Sequence, residues 1–372
     1  MSVRAEDSSP PRGAHQPTDP LTRVVAVAAA HARAVDREAR FPHEAVESLR
    51  ENDLLSAAHR MSVSEMVVVA ERLARACGST AMIWAMHQVQ LACLVRHHPT
   101  LPLLDRALRE QWLIASVTSE VGVGGNLRRS KAGVSDGGHH LSKRAPTVSY
   151  GEHAQAYLIT ARRDDETGGS DQVAVLAVRE QVTLNRTGEW DVLGMRGTCS
   201  PPFQVEAQFD PDQVFPVPFA EIAGSTMVPL SHVLWSAVWI GLAQEAVSRA
   251  LAMAKARSTA DPVLARAHVL LAAAGAQLDS GLRAAQPVLE GEARSTFALA
   301  LEMNALKVGV SETAVEVVGL ALRSCGMPAF AETGPHSIAR ILRDIHSAPL
   351  MIGNRRLMEN NAQLLLTLRG DS

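Results

Sequence analysis

Hydroxyl side chains and glycines lie together in the segment ASVTSEVGVGGN, residues 115–126. Thr118 and Ser119 offer hydroxyls, and Gly122, Gly124 and Gly125 have no Cβ, so a bound ligand could approach their backbone closely. The segment is therefore a candidate binding loop. A flexible hairpin turn has the same composition, so the assignment needs support from other parts of the chain.

Two further side chains are candidates for chemistry. His232 follows Ser231 in an apolar stretch, and an imidazole with an ordinary pKa of about 6.5 suits proton transfer near neutral pH. The alternative is a core histidine bonded to a backbone carbonyl. Arg257 stands in AKARSTADP, and its planar guanidinium matches pairs of phosphate oxygens. The alternative is a solvated arginine at a helix end.

Charge and cysteine usage argue against several classes of protein. The net charge is −3 without a basic stripe, so nucleic acid is not an expected partner. The four cysteines form no CxxC pair, which argues against a zinc site or a disulfide framework and favours reduced thiols in a cytoplasmic protein. The first residues have no signal-peptide core, and serine and histidine interrupt the most apolar run, MVPLSHVLWSAVWIGLA. We therefore expect a buried core helix there and no membrane span.

Hydrophobic periodicity divides the chain into a loose tail (1–20), a helical domain (21–112), a β-domain (113–218) and a helical bundle (219–372). Ser62 and Glu65 have the spacing of a capping box at the start of a helix. LIASVT, PTVSY, AYLITARR, QVAVLAV and FQVEAQF are short β-favouring runs separated by turn residues. Four long periodic segments, the last over 335–368, predict an antiparallel four-helix bundle.

This order of domains, with the motifs inside it, resembles the acyl-CoA dehydrogenase superfamily. FPHEAVESLRENDLL (41–55) is similar to an early helix of that family. ASVTSEVGVGGN and DGGHHLSKRAPTVSYGEHAQAYLIT (136–160) resemble the β-domain segments that hold the flavin ring, and WDVLGMRGTCS (190–200) resembles a later strand. IGLAQEAV, LRSCGMPAF and LRDIHSAPLMIGN match the bundle. The resemblance implies an α+β multidomain fold: an N-terminal helical domain, a central β-barrel-like domain and a C-terminal four-helix bundle.

The resemblance also implies FAD bound between the subunits of a homodimer or homotetramer. Backbone and hydroxyl donors near the flavin ring stabilise negative charge on its reduced form. Arg257 would reach the pyrophosphate of the neighbouring subunit's FAD, although the Phe-Gly that usually follows this arginine is absent. The nucleotide end of FAD would lie near Gly326, Gly353 and Asn354. The ring and its loop are assigned to Val117, Thr118, Ser119, Gly125 and Ser149.

The chain departs from the family at the catalytic base. The glutamate that removes the α-proton of an acyl thioester would stand at Ile352, and the position that some members use on an earlier bundle helix is Ser231. Neither side chain accepts a proton at neutral pH. His232 is then the candidate base, and the first expected function is α,β-desaturation of an acyl thioester presented by CoA or by an acyl carrier protein.

Two other functions stay open. A flavin-dependent monooxygenase of the same fold activates oxygen on reduced flavin and needs no α-proton base. Such enzymes often have a histidine where this chain has Met351, and His346, about one and a half turns earlier, is expected to face elsewhere. The third function is a non-catalytic scaffold that binds acyl groups or partner proteins.

Overall fold

The structure, a computed structural model, describes residues 19–123, 127, 129–135, 137, 139–164 and 166–368. Asp19 begins the first helix by accepting hydrogen bonds from the backbone of Leu21 and Thr22. The helices before the β-domain are α1 (Pro20–Glu38), α2 (His43–Glu51), α3 (Ala57–Arg60), α4 (Val63–Ala76), α5 (Gly78–His97) and α6 (Pro102–Arg109).

Two sequence predictions are confirmed in this helical region. Ser62 and Glu65 form both hydrogen bonds of the capping box at the start of α4. Helix α5 is buried on nearly all sides, as expected for a central helix that is apolar around its circumference. It packs against β1 and α8, so it connects the helical domain to both other regions.

The β-domain consists of two sheets. The strands are β1 (Ile114–Val117), β2 (Val134–Ser135), β3 (His140–Ala145), β4 (Ala156–Arg162), β5 (Gln172–Val178), β6 (Val182–Arg186) and β7 (Phe203–Gln208). One sheet has the order β1-β4-β5, with β1 and β4 parallel; the other is antiparallel, with the order β2-β3-β7-β6.

Two segments with strand-like sequence are not strands. PTVSY is a turn in which Tyr150 has a left-handed backbone with φ 45°. Residues 190–200 form an irregular segment with one short 3-10 turn, Arg196–Thr198. The expected strands at both places are therefore wrong, and each segment instead supplies side chains to the cavity described below.

The bundle starts with α7 (Phe219–Ile222) and a π-helical turn (Ala223–Met227). It continues with α8 (Val228–Arg257), α9 (Pro262–Leu289), α10 (Phe297–Cys325), α11 (Met327–Phe330), α12 (Ala339–Ile345) and α13 (Asn354–Leu368). Helix α8 packs against α10, α9, α4 and α5. The stretch Phe219–Ala256 is apolar enough to cross a membrane, but 89% of its most apolar window is buried in the protein, so it is the predicted core helix.

The last predicted helix, over 335–368, is broken in the structure. Helix α12 ends at Ile345, and turns occupy 346–353 before α13 begins at Asn354. Ile352 has φ 48°, a left-handed conformation that is rare for a β-branched residue. A single hydrophobic core runs through all three regions, so the domain boundaries at 112 and 218 remain predictions.

Candidate active site

A cavity of about 950 Å³ lies between the β-domain and the helices. Its volume is within the range of about 300–1,000 Å³ that is usual for sites of small molecules and cofactors. The side chains that line it fall into two groups with different chemistry. We call the group from the β-domain the hydroxyl wall and the group from the helices and the turn 346–353 the bundle wall.

The hydroxyl wall presents serine and threonine side chains. The hydroxyls of Ser116 and Thr118 lie 3.1 Å apart at the end of β1. Ser119 donates to the carbonyl of Thr147 at 3.2 Å, which joins the segment after β1 to the turn before β4. The members of the wall are Ser116, Thr118, Ser119, Thr147, Ser149, Thr198 and Ser200.

A buried lysine supports the hydroxyl wall from behind. Lys143 on β3 donates to the carbonyl and the hydroxyl of Thr160, at 2.6 and 2.8 Å. Its ammonium lies 4.0 Å from Glu120, which also accepts from Ser130 and from backbone N–H groups. Burial lowers the pKa of Lys143 to about 8, and the nearby Glu120 carboxylate opposes that shift. This arrangement fixes the chain directly after Thr118 and Ser119.

The bundle wall combines apolar side chains with polar and charged ones. Ser231 on α8 and Ile352 both line the cavity, so the two positions at which the family carries its glutamate do face one space. Among the described residues that line the cavity, Glu359 is the one carboxylate; it is exposed and pairs with Arg355 at 3.0 Å. Its apolar members include Met82, Met86, Met227, Val228, Trp235, Leu350, Met351 and Ile352, and its polar and charged members are Gln90, Ser231, Arg343, His346, Ser347, Arg355, Arg356 and Glu359.

A second buried lysine holds the turn of Ile352. Lys307 on α10 donates to the carbonyls of Ala348 (3.0 Å) and Ile352 (3.2 Å) and to the Oδ1 of Asn354 (2.6 Å). Its ammonium also lies 5.5 Å from the ring centroid of Trp239. Burial lowers the pKa of Lys307 to about 8. The ammonium therefore stabilises the left-handed conformation of Ile352 by binding the carbonyl of that same residue.

His232, the candidate base, lies behind the bundle wall. It follows Ser231 on α8, and consecutive residues point about 100° apart around a helix. Its Nδ1 donates to the carbonyl of Met303 at 2.9 Å, while Nε2 is buried without a hydrogen-bond partner. Burial lowers the pKa of His232 to about 4. This is the arrangement of a core histidine, and it gives the ring no contact with the cavity.

The residues that the resemblance assigned to the flavin ring are only partly brought together. Thr118, Ser119 and Ser149 line the cavity, and so does Gly353, which the resemblance assigned to the nucleotide end of FAD. The side chain of Val117 is fully buried in the core, so at most the backbone of this residue could serve a ligand. Gly125 lies outside the described residues.

The residues expected at the nucleotide end of FAD lie in two other places. Asn354 belongs to the Lys307 network, where its Nδ2 donates to Ser311 and Glu312. Arg257 is exposed at the end of α8 and donates to the carbonyl of Cys325 at 3.1 Å. Gly326 follows directly, with φ 69°, at the end of α10. Arg257 and Gly326 are therefore close together but outside the cavity, and their contact with a partner's flavin stays a prediction.

Sequence reasoning missed several residues of the site. His346 lines the cavity, contrary to the expectation that it faces elsewhere. That expectation assumed a continuous helix, whereas the helix ends at Ile345. Trp190, Thr198 and Ser200 were missed because their segment was assigned to a strand. The glycines and the threonine-serine pair in LGMRGTCS were the available signal for an irregular segment.

Comparison with known proteins assigns the fold. The sequence matches the acyl-CoA dehydrogenase N-terminal domain over residues 22–118 and the acyl-CoA dehydrogenase C-terminal domain over residues 226–363. The chain belongs to the acyl-CoA dehydrogenase superfamily. The expected fold class, with a helical domain, a central β-domain and a C-terminal helical bundle, is thereby confirmed.

The similar proteins include a dehydrogenase as well as enzymes named for other reactions. Butyryl-CoA dehydrogenase from Megasphaera elsdenii superposes with a TM-score of 0.76 at 16% identity, covering 95% of this chain and all of that chain. L-evernosamine nitrososynthase from Micromonospora sp. (strain ATCC 39149) is 26% identical over 371 residues, with 90% of this chain and 85% of the relative covered. The amino sugar nitrososynthase DnmZ from Streptomyces peucetius is also 26% identical, with 90% and 88% covered. The FMN-bound structure of the dibenzothiophene monooxygenase TdsC from Paenibacillus sp. A11-2 superposes with a TM-score of 0.80 at 18% identity, covering 94% of this chain and 96% of TdsC.

Proposed function

We propose that the protein is a flavin-dependent monooxygenase that transfers oxygen to the nitrogen of an amine. The observation that carries the proposal is the bundle wall, where Ile352 and Ser231 occupy both positions of the family's catalytic glutamate and both line the cavity. Removal of a thioester α-proton requires a base in that space. Oxygenation of an amine does not, because the amine supplies its own lone pair.

The hydroxyl wall fits a flavin ring. Ser200 donates to the Oγ of Ser149 at 2.8 Å, so the proton of Ser149 is not used in that bond and can be donated into the cavity. The hydroxyls of Ser116, Thr118 and Ser149 offer hydrogen bonds to the polar edge of the ring, and the bundle wall offers apolar contacts to the remaining space. FMN fits the cavity as described; FAD additionally requires a place for its adenosine half.

When bound, a reduced flavin supplies the two electrons with which dioxygen gives one oxygen atom to the substrate and releases the other as water. The nitrogen forms an N–O bond and loses one N–H proton, which gives a hydroxylamine. The protein's contribution is to bind the amine in its neutral form and to keep water from the reacting atoms. The side chains of Met227, Trp235 and Met351 suit the second task because they are apolar and partly or fully buried.

The names of the relatives support an amine substrate. Both curated relatives are called nitrososynthases, and one is named for amino sugars in general. A nitroso group is an oxidised form of an amine nitrogen. The TdsC structure adds that this fold also accommodates a monooxygenase with FMN. Desaturation, the first expectation from the sequence, loses its candidate base, since His232 lies behind the cavity wall. The proton acceptors among the described lining residues are then His346 and the exposed Glu359, which pairs with Arg355.

Anaerobic mixing of the flavin-loaded protein with acyl thioesters tests the proposal against desaturation. A desaturase transfers hydride to its flavin, and the yellow absorbance disappears without oxygen. We expect no bleaching with saturated acyl-CoA of short, medium or long chain, and normal bleaching of the same sample with dithionite. Bleaching by a thioester would replace the proposal with desaturation. A protein that takes up neither FMN nor FAD would favour the non-catalytic scaffold.

A further inference from the structure

The segment 190–200, which we call the cavity loop, contributes more of the cavity lining than its irregular structure would lead one to expect. Trp190, Leu193, Gly194, Met195 and Thr198 all line the cavity. The loop has one short 3-10 turn, Arg196–Thr198. The residues on either side of this turn have left-handed backbones, Met195 with φ 54° and Cys199 with φ 43°. A segment without sheet or helix hydrogen bonds needs other contacts to keep one conformation.

Asp344 on α12 provides such a contact. The backbone N–H of Met195 donates to its Oδ1 at 2.6 Å, and both residues are buried. The neighbouring Gly194 packs directly on the same helix: a Cβ at this position would lie 2.1 Å from the carbonyl oxygen of Arg343. The loop therefore contacts α12 in two ways: Gly194 packs on the helix backbone, and Met195 binds the Asp344 carboxylate.

Hydrogen bonds continue from Met195 to the hydroxyl wall. Thr198 donates its hydroxyl to the carbonyl of Met195 at 2.9 Å, and its Oγ1 lies 2.9 Å from the Oγ of Ser200. Ser200 donates to Ser149 at 2.8 Å. The same loop that Asp344 holds at Met195 therefore also places Ser200 against Ser149, the hydroxyl that the proposed function places against the flavin.

The hydrogen bond from the N–H of Met195 is shorter than the contact between the Asp344 carboxylate and its nearest cation. Arg340 is the nearest cation, with its Nη1 3.8 Å from Oδ2, whereas Arg343 is paired with Asp36 and Glu332. A carboxylate in a buried place binds a backbone N–H strongly, because water does not compete and the bond is charge-assisted.

We propose that Asp344 is a positioning residue for the cavity: it holds the cavity loop at Met195 and thereby keeps Ser200, on the same loop, in place to donate to the Ser149 hydroxyl. The proposal rests on the flavin site of the proposed function only for its second part. Its first part, the placement of the loop, concerns this chain alone and can be measured without any ligand.

The test compares Asp344→Ala, Asp344→Asn and the control Asp36→Asn. Asparagine keeps an Oδ1 acceptor for Met195, and Asp36 is a partly buried carboxylate of the same charge cluster that contacts Arg343. FMN affinity is measured by quenching of flavin fluorescence. Asp344→Ala should bind FMN roughly 10–100-fold more weakly, the range for loss of one hydrogen bond to a charged group, while Asp344→Asn and Asp36→Asn stay within about threefold of the parent.

Acrylamide quenching of Trp190, obtained as the difference from the same protein with Trp190→Phe, reports on the loop without ligand. We expect greater quenching in Asp344→Ala and unchanged quenching in Asp36→Asn. If Asp344→Ala does not fold, Thr198→Val takes its place, since it removes the hydroxyl step at nearly constant volume, and it should weaken FMN binding about tenfold. Parental FMN affinity together with parental quenching in the folded variant would overturn the proposal. A parent that binds no FMN contradicts the proposed function, while the quenching experiment still decides the placement of the loop.

Discussion

The two walls of the cavity are built differently, although each rests on a buried lysine. Behind the hydroxyl wall, Lys143 lies 4.0 Å from the carboxylate of Glu120 and binds Thr160. Behind the bundle wall, the three acceptors of Lys307 are all uncharged. Burial lowers the pKa of both lysines to about 8. One wall is thus fixed by a charge pair and the other by a cation that stabilises a turn.

The two walls also differ in how far they match what the resemblance to the superfamily implies. The hydroxyl wall retains polar groups that suit a flavin. The bundle wall retains its shape, because Lys307 holds the turn, but it has Ile352 and Ser231 in place of an acid. The two positions to which the resemblance assigns the glutamate therefore carry no acid, while the hydroxyls on the opposite wall are present. The proposed oxygen transfer requires this combination.

Loss of the Lys307 ammonium should have the largest effect. Lys307→Met keeps the volume but leaves two carbonyls and the Oδ1 of Asn354 without this donor. At about 1–3 kcal/mol for each of these three acceptors left unpaired, we expect the free energy of unfolding to fall by about 3–9 kcal/mol. Urea denaturation measures it. The exposed Lys255→Met on α8 is the control and should change stability by less than about 0.5 kcal/mol. Equal stability of the Lys307 variant and the parent would show that the bundle wall does not depend on this cation.

Arg257 lies outside both walls, and its substitution tests which flavin the protein binds. If this exposed residue reaches the pyrophosphate of a partner subunit's FAD, Arg257→Ala should weaken FAD binding by about 1.5–3 kcal/mol. Binding of FMN, which lacks a pyrophosphate, should be unchanged. Arg249→Ala, on the same helix but bonded to Glu245 and the carbonyl of Ser337, is the control. Unchanged affinity for both flavins would leave Arg257 as a cap for the carbonyl of Cys325.

Acid should destabilise the bundle wall through His232. Its pKa in the folded protein is about 4, against about 6.5 when unfolded, so the unfolded chain binds more protons between these values. The stability due to the neutral ring is present above about pH 6.5 and is lost as the pH falls towards 4. At pH 5 the loss amounts to about 2 kcal/mol.

The matched pair for this measurement is the parent and His232→Asn, which keeps a donor near Nδ1 but does not titrate. Stability should fall between pH 7 and pH 5 by about 2 kcal/mol less in the variant. Asp344, whose pKa burial raises to about 6, opposes the trend in both proteins and cancels in the difference. The exposed His59→Asn serves as control. Identical pH profiles for parent and His232→Asn would contradict the buried, neutral state of His232.

The smallest effect is expected at Ser231. If this residue is only part of an apolar wall, Ser231→Ala should change the rate of amine oxygenation less than about threefold, whereas loss of a general base costs about 10²–10⁴-fold. Turnover with a saturating amine and reduced FMN measures it. A loss of a hundredfold or more, with flavin binding intact, would make Ser231 a catalytic group. It would contradict the account of the bundle wall as a surface on which Ser231 takes no part in the reaction.

Much of this architecture was predictable from sequence, because hydrophobic period and turn composition report directly on local structure. The capping box at Ser62 and the central helix α5 are examples. Thr118, Ser149, Ser231 and Ile352, which the motifs singled out, line one cavity, and their roles there stay predictions. Those residues stand in short segments whose order in the fold determines where they meet.

Other features could not be predicted from the same patterns. The left-handed conformation of Ile352 depends on Lys307, 45 residues earlier in the chain. The local sequence, in which Gly353 follows Ile352, does not indicate this contact. His346 reaches the cavity only because the helix ends before it. The conformation of the cavity loop depends on Asp344, a contact between residues 149 positions apart. For Ile352 and for the cavity loop, a tertiary hydrogen bond and not local propensity holds the backbone.

Isotope labelling of the product tests the central claim most directly. The purified protein is supplied with a primary amine, such as an amino sugar, and with reduced FMN from an added flavin reductase, under ¹⁸O₂. Reductase and FMN without the protein give the background. The account predicts an N-oxidised product that carries ¹⁸O from dioxygen and none from ¹⁸O-labelled water. An unlabelled amine across a panel of substrates, together with anaerobic bleaching of the flavin by an acyl thioester, would contradict it.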